Sequence, residues 1–99
     1  MNHLAPSELR LAIESRHSCR AGLAETVLVK MTFAGSTIWE GAVHVFDLAG
    51  HPQATQAYAW SSPRKGTSRL QLFSILHLPP VTSPADAVRS AIVAESEAV

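Results

Sequence analysis

A chain of 99 residues of which 46% are apolar is large and oily enough to bury one core, which excludes the disordered class. Eight basic side chains balance eight acidic ones, so no overall charge draws the chain to nucleic acid or to an anionic surface. Cys19 is the only cysteine, which excludes an intrachain disulfide. No apolar run approaches the roughly 20 residues that cross a bilayer, and the start MNHLAPSELR lacks the basic-then-apolar order of a secretion signal. The expectation is a single domain over residues 1–99, working in the cytoplasm.

Ser7 as N-cap, Glu8 in the first turn and Leu9, Ala12 and Ile13 on one face predict a first helix, closed by Gly22. From residue 25 to 33 the period changes to two, with Val27, Val29, Met31 and Phe33 on one side, and a half-buried strand is expected. AGST supplies a turn into a second strand, TIWEGAVHVFDL, rich in β-branched and aromatic residues. Gly41 in its middle is a candidate bulge. Two further strands follow, around QAYAWS and RLQLFSILHL, with SPRKGT as the turn between them. SPAD then starts a second helix, with Ser83 as N-cap, Pro84 at the first helical position, and Val88, Ala91 and Ile92 as a narrow apolar face.

The order α-β-β-β-β-α predicts an α+β two-layer sandwich, a four-stranded antiparallel sheet with its N- and C-terminal helices on one face. Large apolar residues nevertheless stand at both strand parities, and two short helices packed together cover only one face. Phe46, Phe73 and Ile75 are therefore the candidate protein-binding residues of a bare face, and a homodimer the expected assembly.

Catalytic and metal chemistry find less support. His44, Asp47 and His51 fall within eight positions, but strand parity sends His44 and Asp47 to opposite faces, and Pro52 fixes a turn after His51, so no metal or cofactor is expected. Cys19 and His17, two positions apart on a helix, point to different faces. No nucleophile elbow and no glycine-rich phosphate loop is present. A small enzyme is the third reading. The second is a nucleic-acid-binding accessory protein that uses the basic 61–69 turn, with Arg64, Lys65 and Arg69 on phosphates and Trp60 as a stacking group. The preferred reading is a binding module that self-associates or meets another protein through a sheet face.

Overall fold

The computed structural model describes residues 5–63 and 69–97. The chain runs α1 (Pro6–His17), β1 (Arg20–Phe33), β2 (Ser36–Ala49), β3 (Gln56–Pro63), β4 (Leu70–Leu76) and α2 (Pro84–Glu97). The four strands form one antiparallel sheet in the order β1-β2-β3-β4, so the α+β class and the element order are those expected from the pattern.

Local chemistry explains the ends of the elements. Pro6 occupies the first turn of α1, where a missing N–H costs nothing. The cap comes from Glu8, whose carboxylate accepts from the Ala5 amide at 3.2 Å, rather than from Ser7. Ser18, with φ of 53°, closes α1. Gly22 does not, because β1 begins earlier than the alternation suggests and pairs Gly22 with Asp47. At α2 the Ser83 hydroxyl accepts from the Asp86 amide at 3.1 Å, and the Asp86 carboxylate accepts in turn from the Thr82 amide and hydroxyl at 3.2 and 3.1 Å. Those bonds, the Thr82 amide first, hold the Asp86 carboxyl below its ordinary range.

The β1–β2 connection is a two-residue turn in which Ala34 and Gly35 both have positive φ, 53° and 83°, the geometry that suits the twist of a tight hairpin. The ladder is interrupted between Leu23 and Glu25 and between Met31 and Thr32, but not at Gly41, which pairs in register with Val29. The bulge expected at Gly41 is therefore absent. Its missing side chain serves packing: a Cβ there would stand 3.0 Å from the Trp39 ring.

The pairing is uneven along the sheet. β2 pairs with β1 along nearly its whole length but with β3 only from His44 to Asp47. Beyond His44 the β2–β3 ladder stops, although Trp60 to Pro63 of β3 still run beside β2 and Trp39 reaches Trp60 and Ser62, so that the far end of the hairpin, residues 33–38, is what projects beyond β3.

The layering differs from the expectation. Val29, Met31, Val43, Val45, Tyr58 and Trp60 pack against Val81, Ala87, Val88 and Ala91, and so lie under α2. Ala21, Phe46, Ala57 and Ala59 pack against Leu9 and Ile13, and so lie under α1. Val45 and Phe46 are consecutive strand residues and must point to opposite faces. The helices thus lie on opposite faces, three layers rather than two. Each helix carries a narrow apolar stripe, and the apolar residues at both strand parities are what those two stripes cover.

Candidate functional site

The three residues expected on a bare face do not share one. Phe46 is wholly enclosed beneath α1, whereas Phe73 and Ile75 are half-buried on the other face and pack against the cluster under α2. Phe73 stacks on Trp60, with ring centroids 5.1 Å apart and planes 11° from parallel. A partner cannot reach Phe46 while α1 is docked. The parity of the strands was readable; the side that each helix takes was not.

The exposed apolar side chains stand elsewhere, on the β1–β2 hairpin, with Leu28 and Phe33 on opposite faces of β1. Leu28 is 85% exposed, Phe33 73% and Ile38 52%, in a domain whose core residues are below 10%. In the run VLVKM, Val29 and Met31 turn inward under α2 while Leu28 faces the other way, beyond the reach of α1. Around Leu28 on that face, Thr26 pairs with His44, Leu28 with Ala42 and Lys30 with Glu40. The Thr26 hydroxyl and His44 Nδ1 are hydrogen-bonded at 2.9 Å. Lys30 and Glu40 stand directly opposite in the ladder, unlike charges at a position where like charges would disfavour pairing. The signal for this surface was present in the sequence as one large aliphatic residue at the polar parity of β1.

The histidines have structural partners. His44 and Asp47 leave β2 on opposite faces, as parity requires, and Gln56 donates to Asp47 at 3.1 Å. His51 is half-buried rather than solvated, and its Nδ1 accepts from the backbone amides of Gln53 and Ala54 at 3.1 and 2.9 Å, so the ring itself shapes the turn. Among the described residues no group of three His, Cys, Asp or Glu side chains converges as a metal site would need. His17 Nε2 lies 3.0 Å from the Ser74 hydroxyl and its ring meets His51 edge-on at 6.3 Å. Burial, then Arg16 and His51, lower the His17 pKa. Close by, Glu14, Ser18, Cys19, Arg20, Ala49 and Gly50 line an open depression of about 510 Å³. Burial and Glu14 push the Cys19 thiol up, away from the thiolate that nucleophilic chemistry needs.

A second polar pair joins Tyr58 and His77, whose hydroxyl and Nδ1 are hydrogen-bonded. Burial, with Asp86 and Glu25, raises the Tyr58 pKa. The pair ties β3 to the segment after β4 and does not line the depression of about 460 Å³ bounded by Val81, Asp86, Arg89 and Val93.

Of the residues expected to bind nucleic acid, Trp60 does not suit the stacking role. Trp60 is 1% exposed and meets the Trp39 ring edge-on at 6.1 Å as well as Phe73, so it has no open face for a base. Arg69 is exposed; Arg64 and Lys65 lie outside the described residues. Among the described residues no helix is long and apolar enough to cross a membrane. No family model matches the chain, and no curated protein or solved structure matches it.

Proposed function

We propose that this chain is a small protein-binding domain that works by self-association, as a homodimer, and that its working surface is the exposed β1–β2 hairpin rather than Phe46, Phe73 and Ile75. The observation that carries this reading is the grouping of Leu28, Phe33 and Ile38 on one hairpin, each more than half exposed. Isolated exposed aliphatics are ordinary, but several on one projecting element mark a surface that another protein covers. A second copy is the occupant most often found in soluble assemblies. The same reading places the domain in the cytoplasm, where the lone Cys19 thiol stays reduced.

Sedimentation velocity across a concentration series tests it. The expected result is a dimeric mass at tens of micromolar, reduced to the monomer by Leu28→Ser, Phe33→Ser and Ile38→Ser together. A monomeric mass at every concentration up to the high micromolar range would refute the proposal.

A further inference from the structure

We infer that two copies pair along β1, antiparallel and centred on Leu28, so that two four-stranded sheets join into one of eight strands. This rests on the self-association reading and specifies its geometry.

The first support is the edge itself. β1 is an outer strand of the sheet, 14 residues long, with β2 as its one strand neighbour. Its far side therefore presents a row of backbone N–H and C=O groups without a ladder partner, which only another extended strand can satisfy in full. The opposite edge, β4, is half as long at 7 residues, and all of its residues except Gln71 are at least partly buried.

The second support is that β1 is complementary to itself. A twofold axis perpendicular to the sheet pairs antiparallel strands and keeps each face continuous, so paired residues must share parity. With Leu28 opposite its own copy, Val27 faces Val29, Met31 faces Glu25 and Lys30 faces Thr26. No like charges meet. Centring the axis on Lys30 or on Glu25 sets two identical charges opposite each other, which disfavours pairing. Centring it nearer the helix also runs the ladder into the interruption between Leu23 and Glu25. Within the remaining range the Leu28 centre alone places the two most exposed aliphatic side chains, 85% exposed in one copy, against each other. On the opposite face it joins the row Val43, Val27, Val29 and Gly41 across the axis, extending the apolar layer that starts under α2.

Disulfide trapping tests the register. In a Cys19→Ser background, single cysteines are placed at the exposed positions Leu28, Lys30 and Thr26, and the purified proteins are mildly oxidised. Leu28→Cys is expected to form a covalent dimer. Lys30→Cys and Thr26→Cys are each expected to stay uncrosslinked, because identical residues four positions apart in register stand roughly 13 Å apart along the strand, beyond disulfide reach. An equimolar mixture of Lys30→Cys and Thr26→Cys, in which Leu28 is intact, is expected to crosslink as a mixed pair. Crosslinking of Lys30→Cys to itself with none at Leu28 overturns the register. A dimer by sedimentation with no crosslink at Leu28 or in the mixture overturns pairing along β1 and leaves self-association standing. A monomer at all concentrations overturns both.

Discussion

The Trp39 ring lies across Gly41, two residues further along the same face of β2, so closely that a Cβ would stand 3.0 Å from Cη2 and 3.2 Å from Cζ2. The indole also donates to the Ser62 hydroxyl at 3.3 Å and packs edge-on against Trp60. It is thus held on three sides and cannot yield freely. Gly41→Ala is expected to destabilise the fold by about 1–3 kcal/mol, the usual cost of overpacking. Gly22→Ala, where a Cβ meets nothing within 4 Å, is expected to change stability by less than about 0.5 kcal/mol. Urea denaturation of the two variants beside the parent checks the contrast.

The tight turn carries a removable cost. Ala34 holds a φ of 53°, where an L side chain crowds its own carbonyl. Asn adopts this region more readily and Asn-Gly is the preferred pair in such turns, so Ala34→Asn is expected to raise stability by about 0.5–1 kcal/mol. A higher thermal midpoint is the expected reading; a lower one would show that Ala34 makes a contact that outweighs its conformation.

His17 gives the stability a pH dependence on the acid side. Its pKa in the folded chain is lowered from the ordinary 6.5, chiefly by burial, although a helix carboxyl end would favour the charged ring. The unfolded chain therefore takes up this proton first. The contribution is present in full above about pH 6.5 and is lost as pH falls from there towards the lowered folded value. His17→Gln is expected to flatten the fall of the urea midpoint between pH 7.5 and 5. An unchanged slope would assign that dependence to other groups.

The covered and uncovered parts of one sheet face can be separated by substitution. Phe46→Ala is expected to cost about 3–5 kcal/mol, because it empties space enclosed by Leu9, Ile13 and the alanines beneath α1. Leu28→Ser, on an 85% exposed side chain, is expected to leave the stability of the isolated domain within about 0.5 kcal/mol. Equal losses at the two positions, read from urea midpoints at submicromolar concentration, would contradict the finding that α1 covers Phe46 but not Leu28.

Much of this architecture is legible in the sequence because it is local. Pro84 after Ser83 marks the start of α2, and the alternation in TVLVKMTF marks β1. The side of the sheet that each helix takes is not local. Leu9 and Ile13 declare an apolar stripe but not its counterpart, and the counterpart proves to be Phe46, 33 positions beyond Ile13. The candidate surface was misplaced for a related reason: the register that joins β2 to β3 and β4 is not local, and it sets Phe46 and Phe73 on opposite faces, each beside its own helix. Leu28 stands at the polar parity of β1, and one large aliphatic residue among polar neighbours does not by itself declare whether a helix covers it. Its exposure follows from how far the hairpin outreaches α1.

The short seam between β2 and β3 shapes how the chain gains its structure. Each hairpin, β1 with β2 and β3 with β4, closes through neighbours near in sequence, at a small cost in chain entropy. Across the seam the ladder joins His44 to Asp47 with Gln56 to Ala59, and the Leu48 amide donates to the Thr55 carbonyl and the Trp39 indole to the Ser62 hydroxyl. Side chains join the ribbons as well: Val43 and Val45 of the first meet Tyr58 and Trp60 of the second in one cluster, which Val88 and Ala91 of α2 complete. Contacts from Val29 to Val88 span more than half the chain, the kind that slows folding most. The docking of α2 is therefore the step of longest sequence separation, closing over a core that the two ribbons already share.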